Sequence, residues 1–249
     1  MIKQIEDMSL NAWPSHKMEL YDGWIIRYSY FYTHRTNSVE QFGKSTLPLR
    51  TKIPYCEDVY RRLGTPAIFK ISPLVSEDFD YMLENRGYRI EHETDVMTMS
   101  LTEPAAGADY EGPAVTFDEQ ITDEWIGALF DLKGVTNETH RRIVPSMYRA
   151  IMKETVSACI YEEGQIAATG LGILDRDYIG IYAIHVRPDR RRRGYARAIV
   201  SGLLAQGDQR GARHAYLQVV SGNTAARSLY ESLGFTKSYD YWFRVKDLL

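Results

Sequence analysis

The spacing of apolar positions changes period repeatedly along the chain, and each change marks an element. Ile2, Ile5 and Met8 recur every third residue, which predicts a short amphipathic helix closed before Pro14. Leu20 to Tyr32 (LYDGWIIRYSYFY) is dense in aromatic and β-branched residues and predicts a strand, with THRTNSVEQF turning into a second. Ser76 to Arg86 places Phe79, Met82 and Leu83 on one helical face, and Gly87 ends it. Tyr88 to Leu101 predicts a long strand, alternating in VMTMSL. Proline, glycine and alanine then dominate LTEPAAGADYEGP, Leu101 to Pro113, which predicts a boundary.

Beyond it, Ala114 to Phe117 reads as a short strand and Thr122 to Leu132 as a helix with Trp125, Leu129 and Leu132 inward. Asn137 to Met152 is a second helical stretch, interrupted at Pro145. TVSACIYEE, QIAATGLGILD and YIGIYAIHV are three strands, joined at Glu163-Gly164 and at Asp175 to Asp177. A Pro-containing turn with four consecutive arginines, Arg190 to Arg193, leads through Gly194 into a helix whose apolar positions are Ala198, Ile199, Leu203 and Leu204. His214 to Val220 is the next strand, and Ala226, Leu229 and Leu233 form the stripe of a last helix closed by Gly234.

A strand, a basic glycine loop and a helix N-terminus in direct succession suit a bound phosphate. The first N–H groups of a helix lack partners within it, and the peptide dipoles add positive charge there.

Composition narrows the partners. The 249 residues can hold one large domain or two, with 25% charged and 44% hydrophobic residues, so wholesale disorder is not expected. A formal charge of −3 disfavours a general nucleic-acid binder, so the arginine run points to a phosphate-bearing small molecule. Cys56 and Cys159 lack the partners of a zinc site and read as free thiols of a reducing compartment; no metal is expected. Neither a signal core nor a membrane-length apolar run is evident, so a cytoplasmic protein that contacts no membrane is expected.

Arg191 to Ala196 fits Q/R-x-x-G-x-G/A, and Asn223 to Phe235 fits N-x-x-A-x-x-L-Y-x-x-L-G-F. In that order, about thirty residues apart, each in its own setting, these resemble the two motifs of the GNAT superfamily of N-acetyltransferases. The string AWPSHKMELYDGWIIRYSYFYTHRTNSV resembles bacterial GNAT proteins with a second, degenerate GNAT-like fold ahead of the standard one. The resemblance implies an α/β fold: a mixed, mostly antiparallel sheet flanked by helices. It implies a degenerate domain over residues 1–105 and a catalytic domain over 106–249. No Q/R-x-x-G-x-G/A follows a strand before residue 105.

The same resemblance implies acetyl-CoA as acetyl donor and an amine of a small molecule or protein as acceptor. Main-chain groups of Ile184, His185 and Val186 would meet the acetyl carbonyl and pantetheine arm, where the family's fourth and fifth strands splay apart. Arg191, Arg192, Arg193, Gly194, Tyr195 and Ala196 would wrap the pyrophosphate, and Asn223 would bond the pantetheine or cap its helix. Tyr230 occupies the position of the general acid. Some family members carry a carboxylate base fourteen residues before the loop glycine; that position is Gly180 here, so His185, Tyr182 or a water chain stays open. In Arg35 to Ser38, two readings stand: a wall of the acceptor pocket, or side-chain-to-backbone bonds of a turn. An acyl-CoA sensor without turnover is the alternative function, and a homodimer is allowed for.

Overall fold

The structure, a computed structural model, describes residues 1–101 and 112–248; the boundary read at Leu101 to Pro113 falls largely outside them. α1 (Ile2–Ala12) precedes the hairpin of β1 (Lys17–Tyr21) and β2 (Trp24–Tyr28), and β3 (Val39–Gln41) follows. α2 (Leu49–Arg62), β4 (Ala67–Ile71), α3 (Glu77–Asn85) and β5 (Arg89–Ser100) complete the first half. The second half runs β6 (Thr116–Asp118), α4 (Asp123–Lys133), α5 (Glu138–Arg149), β7 (Glu154–Glu162), β8 (Gln165–Asp175) and β9 (Tyr178–Val186). α6 (Tyr195–Gln209), β10 (His214–Val220), α7 (Thr224–Ser232) and β11 (Thr236–Lys246) close it.

All the described strands join one 11-stranded sheet in the order β1-β2-β3-β4-β11-β5-β10-β9-β8-β7-β6. The order repeats itself about its centre. Three antiparallel strands, a helix, a parallel strand, a helix and a long strand make up β1 to β5, and again β7 to β11. The two long strands are exchanged: β5 pairs with β10, and β11 pairs with β4. The sheet is therefore continuous across the two halves.

Local chemistry explains where this departs from the expected elements. The run from Leu20 breaks at Asp22-Gly23, where φ is +43° and +76° and Tyr21 pairs with Trp24 across a two-residue hairpin. Gly23 lies so close to the Lys44 carbonyl that an added Cβ would sit 2.4 Å from its oxygen. α5 runs through Pro145 instead of stopping there. Its buried face of Ile143, Val144, Met147 and Tyr148 holds it against the lost ladder bond. α2 and β4 carried no expectation from the pattern; every position of β4 is buried, so it shows no alternation.

The core of the second half has two layers. On one face α6 sets Ile199, Val200, Leu203 and Leu204 against Val156, Ala168, Ile179 and Ile181. On the other, Trp125, Leu129, Val144 and Met147 of α4 and α5 cover Leu171 and Ile173. Trp125 donates its ring N–H to the Ala158 carbonyl at 3.1 Å, so the buried indole leaves no polar atom unmet.

Candidate active site

The parallel pairing of β9 with β10 begins at Tyr178/His214 and stops at Ile181/Leu217. Past that point each strand keeps only its outer neighbour. β9 stays on β8 to Val186, and β10 stays on β5 to Val220. The sheet thus opens into a notch where β9 has no strand partner on its β10 side from Tyr182 onward; the Ala183 carbonyl accepts from the Thr169 hydroxyl at 3.1 Å and the Val186 carbonyl from Arg191 at 3.4 Å. The register between β8 and β9 slips there by one residue, and Ala183 adopts φ +51°. This β-bulge turns the strand just where it loses its partner.

Directly after the notch, the Arg187 N–H bonds to the Ala167 carbonyl at 2.9 Å and a short 3-10 turn spans Pro188–Arg190. Gly194, at φ +81°, is the N-cap of α6 and offers no side-chain cap. The chain needs a glycine there because this left-handed conformation is costly for residues with a Cβ. From Arg192 to Ala196 no backbone N–H finds a backbone acceptor among the described residues. The four arginines divide by role. Arg190 pairs with Glu162 at 2.6 Å and Asp189 at 2.8 Å, so it anchors the turn. Arg191, Arg192 and Arg193 are exposed.

Ile184 and Val186 lean toward the α6 and α7 side and pack in the cluster that contains Tyr230. Tyr230 is buried, its ring edge-on to Phe235 at 6.1 Å between centroids, and burial pushes its phenol up to about 12. Its hydroxyl has no hydrogen-bond partner among the described residues. Asn223 Oδ1 accepts from the Ala226 N–H at 3.2 Å and so caps α7. Buried Asp95 fixes the start of that helix, lying 3.1 Å from Arg227, 2.9 Å from Lys237 and 3.0 Å from the Ser221 hydroxyl.

Gly180 has no room for a carboxylate: a Cβ there would lie 2.6 Å from Tyr182 and 2.7 Å from Tyr216. Those two tyrosines bond through their hydroxyls, and burial raises both phenols, Tyr182 to about 12. His185 points to the opposite face from Tyr230. Burial first, then Lys133 and Arg191, bring its pKa down to about 4, so it is neutral at pH 7.

His185 lines a cavity of about 100 Å³ between the two halves. Trp13, Tyr32 and Tyr148 form its aromatic wall, and Arg35 and Lys133 supply its charge. The loop that brings Tyr32 and Arg35 here has left-handed φ at Tyr30 (+50°) and Phe31 (+59°). Asn37 holds it: Oδ1 accepts from the N–H groups of Ser29 (2.7 Å) and Phe31 (2.9 Å), and Nδ2 donates to the Thr33 carbonyl at 2.6 Å. The two readings of Arg35 to Ser38 therefore fall on different residues. Asn37 builds the turn, and Arg35 faces the cavity. Trp13, Lys133 and Tyr148 escaped the sequence reading, because they come from separate elements with no shared spacing.

Among the described residues, one group of metal-ligating type gathers: His34, Glu91 and His92, with ligand atoms within 4.8 Å of one another. Glu91 is already bonded by His34 at 2.9 Å and Arg89 at 2.8 Å, so its charge is met without an ion. No helix among the described residues is long and apolar enough to cross a membrane.

The notched, mostly antiparallel sheet is the GNAT fold, and, with the family and relatives that follow, the chain is an N-acetyltransferase of that superfamily. More narrowly, the chain belongs to the family described as "Probable histone acetyltransferase Rv0428c C-terminal", whose sequence model matches residues 1–243. It is 26% identical to the "Uncharacterized N-acetyltransferase YobR" of Bacillus subtilis (strain 168), over 98% of both chains. It is 35% identical over 77 residues to the "[Ribosomal protein bS18]-alanine N-acetyltransferase" of Escherichia coli (strain K12), covering 31% of this chain and 52% of that one. In fold it is similar to a GCN5-related N-acetyltransferase from Sphaerobacter thermophilus, with TM-score 0.64 and 21% identity over 85% of this chain and 72% of that one. A tandem GNAT protein from the clavulanic acid biosynthesis pathway aligns with TM-score 0.66 and 11% identity, over 85% of this chain and 75% of that one.

Proposed function

We propose that the chain transfers an acetyl group from acetyl-CoA to an amine by direct attack, with a single donor site carried by residues 106–249, while residues 1–105 form a GNAT-like domain without a donor site. The observation that carries this is the open notch between β9 and β10 leading straight into the uncapped start of α6. Acetyl-CoA supplies the thioester to be attacked and the phosphates to be held. The backbone N–H groups of Arg192 to Ala196 bind the pyrophosphate, and the guanidinium groups of Arg191 to Arg193 pair with phosphate oxygens. The freed backbone of Ile184 to Val186 takes the pantetheine arm and orients the carbonyl, and a fixed N–H there stabilises the developing oxyanion. Asn223 caps α7 and so sets the direction from which Tyr230 reaches the sulfur.

Tyr230 acts as general acid. Its phenol keeps its proton at neutral pH, and its hydroxyl is uncommitted until the thiolate departs. None of the three positions considered for a base serves as one: Gly180 has no side chain, Tyr182 is too weakly acidic to be ionised, and His185 is too weakly basic. The amine must arrive neutral or lose its proton to water.

Calorimetry on the full chain, followed by thiol release with an amine panel, tests the reading. One acetyl-CoA per chain and release with at least one amine are expected. Two molecules per chain would remove the assignment of the donor site to the second half alone.

A further inference from the structure

We infer that the cavity between the halves is an anion-recognising acceptor site, and that the acceptor is a compact amino-acid-like molecule carrying a carboxylate beside its amine. The inference rests on the acetyl-transfer reading above.

Charge balance is the first observation. Arg35 and Lys133 both line the cavity, and no Asp or Glu does. Their hydrogen-bond partners are neutral: Arg35 donates to Gln218 Oε1 at 3.0 Å, and Lys133 to the Tyr32 hydroxyl at 3.0 Å. Elsewhere the chain pairs its inward cations closely. Arg27 has Glu40 at 3.1 Å, Lys70 has Glu6 at 2.6 Å, and Arg244 has Asp80 at 2.7 Å. Two cations converging on a cavity without a carboxylate repel each other, and an anion removes that cost. The effect registers on Lys133. The residue as a whole is exposed, yet its ammonium lies 4.7 Å over the Tyr32 ring, and desolvation followed by Arg35 draws its pKa down to about 8.

Position is the second observation. Ala183 and His185, at the bulge where β9 loses its partner, line the same cavity. Lys133 is near enough to His185 to act on it electrostatically. A carboxylate at the two cations thus leaves the amine of a small molecule at the notch. The aromatic wall of Trp13, Tyr32 and Tyr148 takes an apolar side chain.

The arrangement also addresses the missing base. Positive neighbours disfavour an ammonium, so the groups that hold the carboxylate push the acceptor amine toward its neutral, nucleophilic form. In the transfer step the amine lone pair forms the N–C bond, the C–S bond breaks, the sulfur takes the Tyr230 proton, the amine nitrogen releases one proton to solvent, and the Tyr230 phenolate takes one back from solvent.

The test uses the full chain with glycine, alanine, leucine and phenylalanine, each as free acid and as methyl ester, and inorganic phosphate as a separate arm. Calorimetry should show at least one free acid binding about tenfold or more tighter than its ester, because the ester cannot accept two charge-assisted bonds. Lys133→Met, at an exposed position that the fold tolerates, should bring that ratio close to one, and Arg35→Met should do the same. Equal binding of acids and esters, no binding by any free acid, or a ratio unmoved in Lys133→Met overturns the inference. Phosphate binding without amino-acid binding overturns it too. Thiol release with the same panel separates the two readings. Free acids that bind but are never acetylated count against acetyl transfer and leave the carboxylate site standing. Esters acetylated as well as acids leave transfer standing and remove the site.

Discussion

The two halves of the sheet repeat one plan, yet they treat the turn before their first crossover helix in opposite ways. In the first half, the turn between β3 and α2 is filled from within. Asp22, at the tip of the β1–β2 hairpin, accepts from the Thr46 N–H at 2.9 Å and the Leu47 N–H at 2.9 Å. It also accepts from the Thr46 hydroxyl at 2.7 Å, and Lys52 lies 3.2 Å away. Those bonds, the Thr46 N–H foremost, hold its carboxyl far below the ordinary range. In the second half, the turn between β9 and α6 has no such acid, and the N–H groups from Arg192 to Ala196 stay open. One turn carries its own anion, and the other leaves its N–H groups without one.

The last helices differ in the same sense. α3 and α7 end on matching bonds: the Tyr88 N–H reaches the Leu83 carbonyl at 3.1 Å, and the Phe235 N–H reaches the Tyr230 carbonyl at 3.0 Å. Leu83 therefore occupies in the first half the place that Tyr230 holds in the second. The repeated scaffold has the same hydrogen-bonding frame in both copies, with a leucine at this place in one and a tyrosine in the other.

The largest effect is expected from making the second half resemble the first at that place. Tyr230→Phe removes one hydroxyl and little volume, and kcat should fall about 10²–10⁴-fold. Acetyl-CoA affinity should change little, since the interaction is made in the transition state. Normal kcat with a lowered melting temperature would return Tyr230 to a purely structural role.

Gly194→Val closes the open turn sterically and forces a β-branched residue to φ +81°. Acetyl-CoA affinity should drop about ten- to a hundredfold by calorimetry, as one or two charge-assisted bonds to phosphate are lost. Unchanged affinity would show that the pyrophosphate lies elsewhere.

The converse experiment, Asp22→Ala, empties the filled turn. The melting temperature should fall, while acetyl-CoA stoichiometry stays at one. A second binding event would mean that Asp22 alone separates the two turns.

The smallest effect concerns pH. The folded pKa of His185 is about 4, against about 6.5 in an unfolded chain. Between those values the unfolded state binds more protons, so this residue makes stability rise with pH over that window and fall as pH drops through it. Denaturant midpoints measured from pH 4 to pH 7 should flatten in His185→Gln; an unaltered slope would place the acid sensitivity on other groups.

Much of this was legible in the sequence because it is local. Periodicity marked α1, α3, α4, α6 and the three strands before the loop, and the loop and last-helix frames are contiguous strings whose spacing survives in one dimension. The Asp22-Gly23 hairpin was equally legible: two residues between apolar runs specify that turn, and an unbroken strand was expected only because the aromatic density outweighed them.

Tertiary structure decided the rest. The exchange of β5 and β11 depends on which edges meet, and either pairing satisfies the same alternation along each strand. That a side chain at position 180 would meet a ring from the neighbouring strand follows from Tyr216, 36 positions away. The division of the arginines depends on Glu162, which meets Arg190 only once β7 lies beside the turn. The cavity needs Trp13, Arg35, Lys133 and Tyr148 from four separate segments, and their convergence is a property of packing that no single stretch of chain contains.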